Sequence, residues 1–576
     1  MMADATETQP SRTAIGISFG NSYSSIAYTT SLGEAAVIAN EEGDRQIPTI
    51  LSYVSGEEFQ GTQAKSQIVR NPRNTIAYFR DFVGKSFKEI DPTPCHSSAH
   101  PVNKDGEVVF EVQESEEGDK SSLSVSEVTT RHLRRLKQSA SDYLGKDVTA
   151  AVVTVPTDFS DAQKTALSKS ASAAGIEVLQ YISEPIAALL AHDAKVQAAG
   201  EAQPAQQDKV VVVADLGGRR SDVAVVASRH GVYTTLATAH DYELGGATLD
   251  KTLIEYAARE FLKKNKGAKD PRETEKSLSK LTLEAEAVKK ALSIGQTALF
   301  SIESLVDGID FSLSVNRSRF EILGVKVFMA FTRLIESAVQ KADLDVLDVD
   351  EILLSGGTSH VPKIASNLQS HFPESAVIIA PSTTPSAVNP SELTARGAAI
   401  QASLISEFEQ SDIVENTEAV VTVTPHLQHA IGLVTGKQGE EQFSVIVPSE
   451  TAVPARRTAQ IPVPSGGDVL LRLAEGVREI KVTKEDRPAT NGTKDEDDSD
   501  EDSEEDEPEE MRSKEWKVGK ALAEVGIKGV KKGGKVEVQL NVAADLTLTV
   551  VAREVGGKGG VRGTIEAGKT RQNGSA

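Results

Sequence analysis

The feature that most constrains this chain is that part of it occurs twice. The segment IGISFGNSYSSIAY at residues 15–28 aligns without gaps on VVADLGGRRSDVAV at residues 212–225. Each reads as an apolar strand, a tight glycine turn and a second, alternating strand. In this alignment Gly20 falls on Gly217, Ser18 on Asp215 and Ile26 on Val223. Two such hairpins about two hundred residues apart predict a duplicated, two-lobed fold with a ligand cleft between the lobes. Any two glycine-tipped hairpins share some of this pattern, so the repeat alone leaves coincidence open.

Around the hairpins, strand-like and helix-like stretches alternate, which predicts an α/β domain. Strands are expected at Ala14–Phe19, 25–30 and Ala150–Val155, and helices at Val125–Leu144 and 160–174, the last stopping at Gly175. Further helical patterns occupy 277–294, 320–342 and 389–408, and a short strand at 351–354 runs into Ser355, Gly356, Gly357 and Thr358. From residue 418 the texture changes. Short alternating runs at 443–447, 469–473, 535–540 and 546–552 read as antiparallel strands of a second, all-β domain, with the boundary between Ser411 and Pro425.

Charge is concentrated. Residues 495–510 read DEDDSDEDSEEDEPEE, thirteen acids in sixteen positions of a chain whose formal net charge is -22. Like-charge repulsion and the lack of apolar residues predict a solvated, disordered loop there, with a site for a basic partner as the alternative. The acidic balance argues against a nucleic-acid coat, so no direct DNA binding is expected. No window has the apolar length that spans a bilayer, and the polar start MMADATETQPSR reads as cytosolic. The single cysteine, Cys95, permits neither an intrachain disulfide nor a cysteine-based zinc site and fits a reducing compartment. His96, His100, His426 and His429 read as ordinary surface residues, and Trp516 as a packing anchor on a short helix.

Glycine turns let backbone N–H groups approach anionic oxygens with no Cβ in the way. One such turn says little, but SFGNSYS, ADLGGRRSD, ISEPIAALLAH, YELGGATLD and LLSGGTSHVPKI occur together. As a set, at these separations, they resemble the nucleotide-binding domain of the seventy-kilodalton heat-shock chaperone family, within the actin–hexokinase superfamily. GTQAKSQIVRNPRNTI at 61–76 is similar to the family's lysine-bearing loop, and AVVTVPTDFSDAQKTAL at 151–167 to its strand-to-helix signature. NPSELTARGAAIQA at 389–402 is similar to its last nucleotide-domain helix and VTVTP at 421–425 to the end of its linker. LTLTVVARE at 546–554 more weakly resembles the last strand of its substrate domain.

The resemblance implies an α/β, two-lobed actin-like nucleotide-binding domain followed by a shortened all-β substrate-binding-like domain without a helical lid. The boundaries expected are a flexible N-terminus at 1–12, the nucleotide domain at 13–412, a linker at 413–424 and the β domain at 425–576, interrupted by the acidic insertion at 493–510. ATP and Mg2+ are the implied cofactors. Gly20, Asn21, Ser22, Gly217, Gly218 and Gly356 are expected near phosphates or ribose, and Glu286, Lys289 and Ser293 near the adenosine. Tyr23, Arg219, Arg220, Gly245, Gly246, Lys290, Gly357, Thr358 and His360 complete the expected nucleotide set, and Asp215 holds magnesium through water.

Departures from the family pattern point to binding kept and chemistry weakened. Asp215, Asp222 and Glu184 match family acids, and Lys65 matches its catalytic lysine. Ser18, however, stands where the family has an aspartate that orders magnesium-bound water, Arg219 and Arg220 replace a glycine and a threonine, and His360 replaces an arginine that stacks on the base. Arg219 or Arg220 is expected to add charge to a phosphate, a solvated surface pair being the alternative. The site is thus read as degenerate, with little or no hydrolysis.

FRDFVG, LATAHDYELGG and NTEAVVTVTPHL are most like an atypical, ribosome-associated branch of the family. That branch implies a stable heterodimer with a J-domain protein of zuotin type, docking on the ribosome through that partner, and stimulation of an active chaperone of the same family in the cytoplasm. The alternatives are an ATP-hydrolysing cytosolic chaperone that binds unfolded polypeptides itself and an enlarged exchange-factor type, which the expected lack of a helical C-terminus disfavours.

Overall fold

In the computed structural model the first repeat forms the antiparallel strands Ala14–Phe19 and Tyr23–Thr29, and the second forms Lys209–Leu216 and Ser221–Arg229. Their registers correspond: Ser18 faces Ser25 in one hairpin and Asp215 faces Asp222 in the other. The first strand of each takes a parallel partner, Ala150–Val155 in one lobe and Glu351–Ser355 in the other. Those partners pair in turn with Glu177–Ser183 and Val377–Ile379, again in parallel. The second strand of each hairpin pairs antiparallel with a third, Ala35–Ile38 and Val232–Asp241 respectively. Two sheets with one strand order and one pattern of directions make the duplication geometric. The six residues of Ala150–Val155 are all buried, as a parallel strand covered on both faces requires.

The structure describes residues 12–566 apart from 94, 96–97, 115–119, 199–208, 230–231, 407, 409–420, 423–426, 428, 436–440, 448–452, 486–508 and 558. It divides into two compact units, Met1–Thr424 and Pro425–Ala576. In the first unit one lobe is built around Phe19, Phe79 and Phe110, the other around Phe261, Phe300 and Phe331. A third core of small and branched residues, including Val152, Val213, Leu353 and Ala398, draws on both sheets. The helices Glu184–Ala198 and Leu393–Ile405 supply much of it. They approach so closely that a Cβ on Gly397 would lie 1.8 Å from the carbonyl oxygen of Ala187. This junction fixes the angle at which the two hairpins face one another. At the edge of the second lobe's sheet, Val421–Thr422 pairs in parallel with Tyr233 and Thr234.

The second unit holds two four-stranded antiparallel sheets around Leu433, Leu473, Val538 and Val550. The outer strands of one sheet are Gln442–Val447 and Glu509–Val530, and those of the other are Ala455–Val463 and Gly560–Ile565. Among its described residues there is no helix. Three sequence expectations are corrected. Trp516 lies in the strand Glu509–Val530, not on a helix, with its ring 5.9 Å from that of Phe443. That strand pairs with Gly467–Glu485 over its whole length, ending at Glu485 opposite Glu509. Glu509 and Glu510 of the acidic run therefore belong to a strand, and residues 495–508 of the run lie outside the described residues. The pattern at 320–342 is two helices, Arg317–Leu323 and Val325–Lys341, parted at Gly324, where a Cβ would meet the ring of Phe328 at 2.7 Å. His96 and His426 also lie outside the described residues, and His100 and His429 are exposed.

Candidate functional site

A cavity of about 660 Å³ in the first unit is walled by both hairpin turns, by Gly356–Thr358 and by one end of the helix Glu275–Ile294. The turns are built alike. A Cβ on Gly20 would lie 2.3 Å from the carbonyl oxygen of Tyr23, and one on Gly217 2.8 Å from that of Arg220. Gly356 holds a φ of +82°, and a Cβ there would strike the Leu216 carbonyl at 2.4 Å. The turns also face one another closely, since a Cβ on Gly218 would come within 2.5 Å of Ser22 Oγ. Of the residues expected around a nucleotide, only Gly245 and Gly246 are off the wall. They brace the second turn from behind: the Gly246 N–H donates to the Gly217 carbonyl at 3.0 Å and the Ala247 N–H to that of Gly218 at 2.7 Å.

At one end the cavity gathers acids. Asp215 and Asp222 project from opposed positions of the second hairpin, and Glu184 opens the helix Glu184–Ala198. Burial lifts the Glu184 carboxyl to about 8, Asp215 and Asp222 adding to the shift and Arg80 opposing it. Burial, reinforced by Asp222, lifts that of Asp215 to about 6. Arg220 belongs to this cluster. Its Nε donates to Asp222 at 2.7 Å and its Nη2 to Asp158 at 2.8 Å, and the guanidinium lies over the Tyr242 ring, 4.7 Å from its centroid. Burial alone would raise the Asp158 carboxyl, but Arg220 outweighs it and holds that group well below the usual carboxylate range. So Arg220 is neither a phosphate clamp nor a solvated surface residue. Its charge goes to carboxylates, because they are buried beside it and would otherwise be unpaired. Ligand atoms of Asp158, Asp222 and His240 come within 4.8 Å of one another, a spacing suited to a cation, and there the guanidinium bonds both carboxylates. Arg219 lies over the Tyr78 ring, 4.1 Å from its centroid. Ser18 lines the cavity and its Oγ accepts from Thr394 at 3.0 Å.

Lys65 does not reach the acids. Its Nζ donates to Glu286 at 2.5 Å and to the Tyr23 hydroxyl at 2.6 Å, and Lys290 donates to the same hydroxyl at 2.9 Å. Tyr23 also donates to Glu286. Tyr23 and Lys65 come from the first lobe, Glu286 and Lys290 from the second, so this knot ties the lobes across the cavity. Burial would raise the Glu286 carboxyl, but Lys65 and then Lys290 hold it well below its ordinary value. Lys289 is engaged by Asp250 at 2.8 Å and by the Gly246 carbonyl at 3.0 Å. His360 meets Asn389 Oδ1 at 3.1 Å and Ser391 Oγ at 3.2 Å, and burial keeps its imidazole below the usual value and hence neutral at pH 7.

The donors fit an anionic nucleotide. Glycine turns with no room for a Cβ cradle phosphates, and the buried guanidinium donors Arg80 Nε and Nη1 have no hydrogen-bond partner. Asp158, Tyr242 and Arg80 escaped the sequence reading. The signal for the first two was the arginine itself, since an arginine inside a hairpin implies carboxylates to receive it.

The family model described as "Hsp70 protein" matches residues 14–461. The chain is 43% identical to the ribosome-associated complex subunit SSZ1 of Saccharomyces cerevisiae, over 96% of this chain and 99% of that one. It is 42% identical to a heat shock protein 70 homologue of Schizosaccharomyces pombe, over 98% and 97% of the two chains. A ribosome-associated molecular chaperone of Saccharomyces cerevisiae is more distant, 32% identical over 77% of this chain and 69% of its own.

Proposed function

The chain belongs to the Hsp70 family, and we propose that within it this protein is a nucleotide-holding cochaperone scaffold with little or no turnover. The observation that carries this reading is a contrast at one cavity and its edge. The backbone cradle is complete, whereas Arg220 lies among the acids and Lys65 is paired with Glu286 and Tyr23. Phosphoryl transfer depends on positioning and on charge neutralisation at the reacting oxygens. A cation committed to carboxylates supplies neither. Magnesium, held with ATP through water on Asp215, would neutralise phosphate charge. Ser18 has no carboxylate with which to order the remaining waters. The rival reading, an ATP-hydrolysing chaperone, needs Lys65 released.

The relatives named as ribosome-associated extend the proposal to partners. The protein forms a stable heterodimer with a J-domain protein of zuotin type, reaches the ribosome in the cytoplasm through it, and helps stimulate the ATPase of a second, active chaperone that receives nascent chains. The nucleotide domain, residues 13–412, holds ATP, and residues 413–576 dock the partner. The outer strands of the two β sheets offer backbone groups to which an extended partner segment can add. The test is co-purification of the full chain with such a J-domain protein, followed by ribosome sedimentation. The account expects a one-to-one complex and sedimentation that requires the partner. Deleting 413–576 should release the partner and leave ATP binding intact. A full-length chain that stays alone and binds unfolded peptide in a nucleotide-dependent way would favour the rival.

A further inference from the structure

Within the nucleotide reading just given, on which this inference rests, we propose that His132 is a positioning residue for the first phosphate turn, acting through a one-way chain of hydrogen bonds that ends on the Gly20 carbonyl. His132 lies in the helix Val125–Leu144, and neither it nor Ser24 nor Thr49 lines the cavity. All three are fully buried behind the turn. Thr49 Oγ1 donates to the Gly20 carbonyl at 2.9 Å, so its one hydrogen is spent there. Ser24 Oγ lies 2.9 Å from Thr49 Oγ1 and must donate to it. The serine hydrogen is then spent too, so His132 Nε2, 3.0 Å away, must be the donor to Ser24. This order of donors fixes the imidazole in its Nε2–H form.

The other ring nitrogen fits that form. His132 Nδ1 is buried with no hydrogen-bond partner among the described residues, and the rings of Phe19 and Phe79 lie 5.8 and 6.0 Å from the imidazole by centroid. A second proton would put a donor where nothing accepts it, and burial pushes the imidazole down to about 3. At pH 7 the ring is therefore neutral and its donor stays aimed at Ser24. Thr49 pins the turn twice, since its N–H also donates to the Ser22 carbonyl at 3.0 Å. The peptides of the turn are trans, so the N–H groups of Asn21 and Tyr23 oppose those two carbonyls and face away from Thr49. Backbone N–H groups held outward in this way are what an anion-binding turn requires. The competing role for His132 is packing of its helix against Phe19, and it differs in outcome. Packing shifts stability alone, whereas positioning shifts affinity for the phosphates and leaves affinity for the nucleoside unchanged.

The experiment measures dissociation constants of ATP with Mg2+ and of adenosine, which has no phosphate, by displacement of a fluorescent nucleotide from the full chain. In His132→Leu the ATP affinity should fall roughly 3- to 10-fold while the adenosine affinity stays within about twofold. His132→Gln, whose side-chain amide nitrogen reaches about as far as Nε2, should recover most of the loss. Thr49→Val removes the last donor and leaves the Gly20 carbonyl unpaired, so its loss should be larger, roughly 10- to 100-fold. Equal losses for ATP and adenosine, or an unchanged ATP affinity in folded His132→Leu, overturn the proposal. If that variant does not fold, Thr49→Val and Ser24→Ala are compared in the same way, and an unchanged ratio of ATP to adenosine affinity in both overturns it equally. Nitrogen NMR of the parent chain labelled in histidine reads the tautomer with no nucleotide present, and an Nδ1–H form at His132 would also overturn it. Failure of the parent chain to bind ATP would overturn the nucleotide reading itself, and the positioning role with it, whatever the tautomer.

Discussion

Arg220→Met removes a guanidinium from between two buried carboxylates and leaves a side chain of comparable reach. Asp222 is 2% exposed, and Asp158 is held by Arg220 and by the Tyr242 hydroxyl. Taking away one partner of a buried ion pair costs about 3–5 kcal/mol, because the remaining charge is left without compensation. For a lobe of about two hundred residues, each kcal/mol moves the thermal midpoint by roughly 2–4 °C, so the loss should be about 6–20 °C at pH 7. The pH dependence has a definite sign. In the parent chain Arg220 depresses the Asp158 carboxyl, so its contribution is present above about pH 4 and is lost as pH falls through the lowered folded value. Without the guanidinium, burial raises both carboxyls, and the variant loses stability as pH climbs above about 4. The gap between parent and variant should therefore widen from pH 4.5 to pH 7. Scanning fluorimetry of the nucleotide-free full chain at several pH values reads it directly. Adding Asp158→Asn and Asp222→Asn to the variant should recover most of the loss. A gap below about 2 °C at pH 7, or one that does not change with pH, would refute the placement of Arg220 as an internal counterion.

Glu184 makes the nucleotide-free chain lose stability as pH rises from about 4.5 to 8, since its folded carboxyl is raised to about 8. Glu184→Gln should flatten that slope in thermal midpoints taken between pH 5 and 9. Gly397→Ala places a Cβ 1.8 Å from the Ala187 carbonyl and should cost ~3 kcal/mol or more in urea unfolding, whereas an alanine at open Gly145 would show only the strain of its positive φ. Ser18→Asp with Arg220→Thr, assayed below its unfolding midpoint, should raise single-turnover hydrolysis less than about tenfold, because Lys65 stays with Glu286 and Tyr23. A rise of ~10²–10³, the size of one restored electrostatic contact, would show that Lys65 reaches the phosphate despite this pairing.

The two hairpins were legible because their signal is local: an apolar run, a glycine where no Cβ fits, and a second strand in fixed register. Their offset in the sequence corresponds to the structure down to the facing pairs Ser18–Ser25 and Asp215–Asp222. What the sequence hid depends on partners far along the chain. Asp158 lies 62 positions before Arg220 and Glu286 lies 221 after Lys65, so no spacing rule connects either pair. KEWKVGKAL carries apolar residues at spacings that fit a helix as well as a strand, and only pairing with Gly467–Glu485 decides for the strand. The glycines at 245 and 246 read as part of the nucleotide set because a Gly-Gly turn has the same composition whether it faces a ligand or, as here, the back of another turn.

The central claim is that this cavity keeps ATP without consuming it. Single-turnover measurement on the full chain loaded with γ-labelled ATP and Mg2+, with the label followed in both bound nucleotide and free phosphate, tests that claim directly. The account predicts intact ATP on the protein, with cleavage at least about 100-fold slower than an ordinary family member assayed beside it. Release of labelled phosphate at the ordinary rate would contradict it.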